Sequence, residues 1–162
     1  MAATAQRLVP PFTKATAHEK VKVAQALWNT RDPQKVVQAY TPNTVWRNRS
    51  HFFVGHTSIR QFLQQKWARE KSYMLRKELF TFQDNKIAVQ FWYEYQDSMD
   101  AMKWKRCYGI EHWTFDAEGK MENRMMSGND VLIGEDGNGE GRWFQGLNAE
   151  EVDGVVIPEG HS

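Results

Sequence analysis

The chain has 162 residues, of which 41% are hydrophobic, 25% charged and 13% aromatic. This length fits one domain with a core of its own, and the aromatic content argues against a disordered chain. No apolar run approaches the roughly 20 residues of a membrane span, and the first residues show no apolar signal segment. A single cysteine, Cys107, excludes an intramolecular disulfide bond. We expect a cytoplasmic protein without a membrane partner.

Charge is unevenly distributed along the chain. Residues 1–133 carry 20 Lys and Arg against 13 Asp and Glu, whereas residues 134–162 carry one Arg against seven acids. A basic body could bind a polyanion such as nucleic acid. The alternative is a solvated surface that the acidic tail partly neutralises. We favour this alternative, and expect no nucleic-acid partner, because the basic residues are scattered and no nucleic-acid motif accompanies them.

Helical patterns occupy most of the first half of the chain. A capping box at Thr16 and Glu19 predicts the first helix start, and Asp32 before a proline predicts the second. The third helix, capped by Thr57 or Ser58, carries apolar residues at i, i+3, i+4, i+7 and i+8. A short strand over 44–48 is predicted between the second and third helices.

After residue 71 the apolar pattern changes to a period of two, which is typical of strands. Turn-like segments divide this part into four strands, at about 73–82, 87–96, 104–115 and 121–133. The order of elements predicts an α+β fold, a strongly curved, mostly antiparallel sheet with three helices across its concave face, enclosing a conical pocket. We expect an irregular arm over 1–14, this domain over 15–133 and a Gly-rich acidic tail over 134–162. The apolar segments 143–144 and 155–157 of the tail are candidates for docking on the body; the alternatives are a lid over the pocket, packing on a dimer partner, or disorder.

The turns also predict which residues share a face of the sheet. A two-residue turn at Met99 and Asp100 places Glu94 opposite Lys105, and a turn at Ala117 and Glu118 places Glu111 opposite Arg124. A slip of one residue would move every side chain to the other face. The face predicted to line the pocket contains Trp92, Glu94, Cys107, Glu111, Trp113, Arg124 and Asp130. Its alternative role is a solvent-exposed face with cross-strand ion pairs.

Several local motifs resemble those of the nuclear-transport-factor-2-like superfamily, which includes ketosteroid isomerase, scytalone dehydratase and SnoaL-like polyketide cyclases. The resemblance covers about residues 14–133. It rests on the segments 28–33 (WNTRDP), 40–45 (YTPNTV) and 115–120 (FDAEGK) and on Gly55 before the third helix. The segments 46–49, 66–70, 77–79, 93–94 and 127–130 resemble an uncharacterised branch of the superfamily, a domain of unknown function. The resemblance implies the cone-shaped fold; function cannot be carried over from the fold alone.

The resemblance also implies positions for a site. Glu111 falls where ketosteroid isomerase-like members hold the carboxyl group of the oxyanion hole, and Arg124 falls at a cavity-lining position. The general base of that enzyme would fall near Arg47, which cannot accept a proton, and its oxyanion tyrosine near Ala24. Steroid isomerisation by that mechanism is therefore not expected. An arginine that flanks two carboxylates, as in limonene epoxide hydrolase relatives, is the nearest enzymatic analogy, although the spacing in this sequence does not match.

These observations lead to two functional hypotheses. The first is a cofactor-independent isomerase, dehydratase, cyclase or hydrolase acting on a small organic molecule. Glu111 or Asp130 would transfer the proton and Arg124 would hold the carboxylate. The second is a non-catalytic binding or assembly module with a pocket filled by tryptophans, in which the Glu111–Arg124 pair fastens the sheet. We expect a homodimer formed through the outer sheet face; in the second hypothesis the sheet face engages a protein partner. Neither hypothesis requires a metal or cofactor. The predicted ligand-binding residues are Trp46, Arg47, Asn48, Trp67, Trp92, Glu94 and Trp113.

Overall fold

The computed structural model describes residues 7–162, so the first six residues of the expected N-terminal arm lie outside the described part. The helices are α1 (Lys14–Asn29), α2 (Pro33–Val36) and α3 (Gly55–Arg69). The strands are β1 (Tyr40–Asn48), β2 (His51–Val54), β3 (Glu70–Gln83), β4 (Lys86–Asp97), β5 (Lys103–Phe115) and β6 (Met121–Leu132). Over residues 7–162, no helix has both the length and the hydrophobicity needed to cross a bilayer.

The six strands form one curved, unclosed sheet in the order β2-β1-β6-β5-β4-β3. Strands β3 to β6 form an antiparallel meander, and β1 joins it by pairing parallel to β6. The helices lie against one face of the sheet, where α1 contacts β3 and α3 contacts β1. The α+β fold expected from the sequence is confirmed.

Several element boundaries differ from those predicted. Helix α1 begins one turn early because Thr13, and not Thr16, is the N-cap: the Thr16 amide donates to the Thr13 hydroxyl, and the Thr13 amide donates to Thr16 Oγ1. Helix α3 begins at Gly55, directly after Val54, without a side-chain cap. Strand β2 was not predicted, because its four residues contain no alternation long enough to detect.

The predicted register between β4 and β5 is wrong by one residue. Glu94 lies opposite Arg106 and not Lys105, because a five-residue loop, 98–102, joins the strands in place of a two-residue turn. This shift of one residue exchanges the two faces of β4 relative to β5. Phe91 and Tyr93 therefore share the inner face with Glu111, whereas Trp92 and Glu94 lie on the outer face. The β5–β6 register differs from the prediction by two residues, with Glu111 opposite Met126, and the predicted face of β6 is therefore kept.

The core lies between the helices and the inner face of the sheet, and aromatic side chains fill much of it. Trp28 from α1 stacks on Trp46 from β1, with ring centroids 5.8 Å apart, and meets Trp67 from α3 edge-on. Such aromatic pairs add about 0.5–1.5 kcal/mol each beyond the area they bury. These contacts join both long helices and the first strand around the interior of the cone.

The acidic tail lies against the outer face of β3, β4 and β5. The backbone amides of Trp143 and Phe144 donate to the Glu94 carboxylate at 2.7 and 3.1 Å. Arg106 binds the same carboxylate, and its guanidinium lies 3.5 Å from the centroid of the Trp143 ring. Further along the tail, Asp153 forms an ion pair with Lys22. Phe144 is buried, as the apolar pair in the tail predicted.

Candidate functional site

The centre of the cone holds a buried carboxylate, Glu111, that receives four hydrogen bonds. Lys77 Nζ donates to Oε2 at 2.6 Å and Trp113 Nε1 donates to the same oxygen at 3.0 Å. Arg124 donates to Oε1 through Nε, at 2.9 Å, and through Nη2. All three charged side chains are at most 3% exposed. This set of donors keeps Glu111 ionised and fixes both of its oxygens.

In this cluster, burial and the pairing of opposite charges shift the pKa values of the side chains in opposite directions. Burial alone would raise the pKa of Glu111, but the charges of Arg124 and Lys77 outweigh it and lower that pKa. Burial lowers the pKa of Lys77 to about 8, because the attraction of Glu111 only partly offsets desolvation and Arg124 repels the ammonium. The sequence places Lys77 at an inward position of β3, so this titratable amine lies in the interior.

Aromatic rings surround the Lys77 ammonium. Nζ lies 4.6 Å from the Phe91 ring centroid, 5.5 Å from Trp113 and 5.6 Å from Trp28. The ring faces attract a cation, but they give it no hydrogen bond in place of water. The amine is therefore positioned by one carboxylate and three rings.

Arg124 connects this cluster to the first strand. Its Nη1 donates to Asn48 Oδ1 at 3.1 Å, and its guanidinium carbon lies 4.4 Å from the Trp46 ring centroid. Trp46 is fully buried, and among the described residues its indole N–H has no hydrogen-bond partner. Because Asn48 uses its carbonyl oxygen for Arg124, its amide nitrogen is left to donate to another group.

A cavity of about 500 Å³ opens at the wide end of the cone. Its walls come from the β1–β2 turn, α3 and the adjacent ends of β3 and β4, and include Phe53, Phe62, Gln65 and Glu70. A void of about 10 Å³ lies deeper, among Lys77, Glu111 and Arg124. The residues that line both spaces are Asn48, Lys66 and Tyr93. The mouth cavity and the void beside the polar cluster are therefore neighbours separated by these three side chains.

Lys66 and Glu70 form an ion pair at the boundary between the two spaces. Lys66 Nζ also lies 4.2 Å from the centroid of the Tyr93 ring, and the Tyr93 hydroxyl donates to Glu70 Oε1 at 3.4 Å. Burial and the Glu70 charge raise the pKa of Tyr93, so this phenol stays protonated at neutral pH. The boundary thus offers an ammonium and a phenol to the cavity.

A second charged group lies beside the mouth. Arg49 pairs with Asp130 at 2.8 Å and donates to Cys107 Sγ at 3.1 Å. Tyr95 also donates to Asp130, at 3.2 Å. Burial, with the Asp130 charge, raises the pKa of Cys107 to about 11, which describes a protonated, unreactive thiol at neutral pH.

The structure brings together five of the site residues that the sequence indicated: Trp46, Asn48, Glu111, Trp113 and Arg124. Trp67 also lies in the interior, edge-on to Trp28, and Asp130 lies near the mouth with Arg49. The other three lie outside the cone. Arg47 donates to Met126 O and Ser127 Oγ on the outer face, and Trp92 and Glu94 bind the tail there. Their predicted place in the pocket is wrong because residues alternate sides along β1 and because the register of β4 is shifted.

The sequence interpretation missed Lys77, Lys66, Glu70, Arg49 and Tyr93. Lys77 carried a usable signal, because it follows Tyr73 and Leu75 at alternate positions and so occupies a site that the period assigns to the core. Arg49 gave no such signal in the sequence, because the position of its side chain depends on the geometry of the β1–β2 turn. Over residues 7–162, no group of three or more His, Cys, Asp or Glu side chains is placed to hold a metal ion.

The chain belongs to a family described as protein of unknown function (DUF1348), whose model matches residues 10–145. A comparison with curated proteins gives no significant match. The match to the family covers the cone and the first part of the tail, so it includes every residue of the cluster.

Two solved structures show the likeness of the fold. SalBIII, an epoxide hydrolase/cyclase-like enzyme with a role in pyran ring formation in the polyether salinomycin, is 17% identical with a TM-score of 0.62. An NTF2-like protein of unknown function from Burkholderia pseudomallei is 14% identical with a TM-score of 0.61. In both comparisons 68% of this chain is covered, and 88% of the other. The chain therefore has an NTF2-like, SnoaL-like fold.

Proposed function

We propose that the protein binds a small organic molecule in the mouth cavity of the cone and converts it by acid–base chemistry without a cofactor. The observation that carries this proposal is the shared wall of Asn48, Lys66 and Tyr93, which line both the mouth cavity and the void beside the Lys77–Glu111–Arg124 cluster. Apolar walls with a few placed polar groups at one end are the usual composition of a ligand site. A cavity of about 500 Å³ is within the common range for such sites.

The geometry changes the roles assigned from the sequence. Glu111 has both oxygens occupied by donors and a lowered pKa, so it serves as the group that orients Lys77 and Arg124. Lys77, with a pKa of about 8, is the better proton carrier, because a group that titrates near the working pH can both give and take a proton. Asp130 stays a candidate near the mouth.

The reaction class follows from this arrangement. A protonated Lys77 supplies a proton or a hydrogen bond to an oxygen of the ligand as negative charge develops there, and Asn48 supplies a second donor. Isomerisation, dehydration, cyclisation and epoxide opening all develop negative charge on oxygen. The structural likeness to an epoxide hydrolase/cyclase-like enzyme supports the choice of epoxides as first substrates, and enones are added because their isomerisation places negative charge on oxygen.

A second proposal, a non-catalytic assembly module, has its own observation. Trp28, Trp46 and Trp113 are buried against the charged cluster, and the void beside the cluster measures only about 10 Å³. On the outer face, Val45, Phe52 and Ile110 are 40%, 77% and 56% exposed, beyond the half that the tail covers. A homodimer through this uncovered half is the assembly we propose.

Native mass spectrometry tests ligand binding in the cone. We expect the purified protein to carry an added small-molecule mass, either retained from expression or acquired from a mixture of epoxides and enones. Gln65→Trp, which fills the mouth cavity, removes that mass. Gln64→Trp, on the exposed side of the same helix, keeps it. Retention of the mass in Gln65→Trp, or no bound mass in any protein, would contradict the proposal and favour the assembly module.

A further inference from the structure

The interior of the cone holds one more positive than negative charge. Arg49 is balanced by Asp130 and Lys66 by Glu70, whereas Lys77 and Arg124 share the single carboxylate of Glu111. At the rim, Arg69 and Lys105 are balanced by Asp97 and Asp100. Among the described residues, the surplus positive charge therefore lies where the cone is most buried.

A buried charge without a counter-charge is costly. In the free protein this cost is expressed as the lowered pKa of Lys77. An anionic group bound beside Lys77 would balance the surplus positive charge. Its attraction would add to that of Glu111 and offset the cost of burying the ammonium. The cluster thus favours a negatively charged ligand atom over a neutral one.

The size of the void limits what that ligand atom is. About 10 Å³ is room for about one oxygen atom, which is too little for both oxygens of a carboxylate. Asn48 and Lys66, which line the void and the mouth cavity, are the donors that such an oxygen meets on entering. The larger body of the ligand has room in the mouth cavity, against Phe53 and Phe62.

From these observations we infer that the ligand of the cone carries a single anionic oxygen of the enolate or phenolate type. This inference rests on the proposed function. This oxygen docks at the inner end of the mouth cavity, beside Lys77, with Asn48 and Lys66 as further donors. The preferred substrates are then carbonyl compounds that form enolates, or phenols. Neutral ligands without an ionisable oxygen bind less tightly.

The test uses 4-nitrophenol, whose ionisation is read from its visible absorbance, and 4-nitroanisole, which has similar shape and cannot ionise. We expect bound 4-nitrophenol to be ionised at a pH where the free compound is mostly neutral. Its affinity should exceed that of 4-nitroanisole at least tenfold. Lys77→Met leaves one positive charge, Arg124, paired with one negative charge, Glu111, and should remove the preference for 4-nitrophenol over 4-nitroanisole. Lys71→Met, an exposed position of the same strand, should keep it.

The outcomes separate this inference from the proposal on which it rests. Equal affinity of the wild-type protein for the two compounds, or an unshifted ionisation of bound 4-nitrophenol, overturns the inference and leaves a ligand site in place. Binding of neither compound overturns the inference and counts against the ligand site as well. An unchanged preference in Lys77→Met overturns the role of Lys77. The comparison within the wild-type protein is decisive even if a variant fails to fold.

Discussion

Lys77 donates a hydrogen bond of 2.6 Å to Glu111 at the centre of the cone, and neither side chain is more than 2% exposed. The two residues come from β3 and β5, which are not neighbours in the sheet, so the pair spans the inner face across β4. Arg124 extends it to β6. The cluster thus ties three strands together beside the small void that lies behind the mouth cavity.

Glu111→Gln should destabilise the fold at neutral pH. The substitution leaves Lys77 and Arg124 buried without a counter-charge, and breaking a buried pair in this way costs about 3–5 kcal/mol. Denaturant unfolding measures the change. Glu122→Gln, at an exposed position on the strand of Arg124, is the matched control and should change stability by less than about 0.5 kcal/mol. Equal stability of the two variants would mean that the carboxylate does not hold the cluster.

The stabilisation by Glu111 should disappear in acid. The pKa of this carboxyl is lowered in the folded protein, so its contribution is present above the carboxyl pKa of the unfolded chain, and is lost as pH falls through the folded pKa. The difference in unfolding free energy between wild type and Glu111→Gln should therefore narrow below about pH 4. A difference that stays constant down to acid unfolding would contradict the assignment.

Lys77→Met should be more stable than wild type at pH 7, and this advantage should shrink in mild alkali. The folded pKa of Lys77 is about 8, against an ordinary value of 10.5. Between these values the unfolded chain binds more protons, so the unfolding free energy of the wild type rises with pH relative to the variant. The full change is about 3 kcal/mol, on the order of 1.4 kcal/mol per pKa unit.

Paired denaturant unfolding from pH 7 to 9.5 measures this difference. The buried tyrosines and Cys107 titrate at higher pH and are present in both proteins, so their contributions cancel. A gap between the two proteins that does not change with pH would show that Lys77 keeps its ordinary pKa.

Gly109→Ala should disturb the wall beside Lys77. An added Cβ would lie 1.9 Å from the Phe91 ring, and that ring is buried and lies parallel to Tyr93, with centroids 6.0 Å apart. Overpacking of this kind costs about 1–3 kcal/mol. Gly154→Ala, where nothing lies within 4 Å of the added Cβ, is the control for thermal unfolding. A neutral Gly109→Ala would mean that Phe91 can move away from Lys77.

Glu94→Gln should loosen the acidic tail without opening the cone. The carboxylate accepts the amides of Trp143 and Phe144, and hydrogen bonds to a charged group contribute about 1.5–3 kcal/mol each. Hydrogen exchange of these two amides should accelerate at least tenfold, whereas amides of β6 keep their protection. Glu140→Gln, an exposed acid of the tail, should leave both exchange rates as they are. Unchanged exchange in Glu94→Gln would show that other contacts hold the tail.

The sequence predicted the fold because its signals are local. The apolar stripe of α3 and the alternation of β3 to β6 each lie within one element, so the helix and strand types, the order and the α+β class follow from them. Strand β2 escaped detection because four residues are too few to show a period. The start of α1 was misplaced because two threonines, Thr13 and Thr16, both have the side chain of an N-cap.

The candidate site depends on relations between strands, and these were only partly predictable. The predicted β5–β6 register was wrong by two residues, which leaves Glu111 and Arg124 on the same face of the sheet. The predicted β4–β5 register was wrong by one residue, which moves Trp92 and Glu94 to the opposite face. The length of the β4–β5 loop decided this, and turn residues alone do not specify it. Lys77 was detectable from its inward position, but its contact with Glu111 across β4 required the curved sheet.

The measurement that tests the account most directly is an NMR titration of the Lys77 side-chain amine, in the free protein and with 4-nitrophenol bound. We expect a pKa of about 8 in the free protein and a rise when the anionic oxygen docks beside it, because the anion stabilises the charged amine. The side-chain NMR signal of Lys71, at an exposed position of the same strand, should not change when the compound binds. A Lys77 pKa that does not respond to the bound compound would contradict the claim that the cluster is the end of the ligand site.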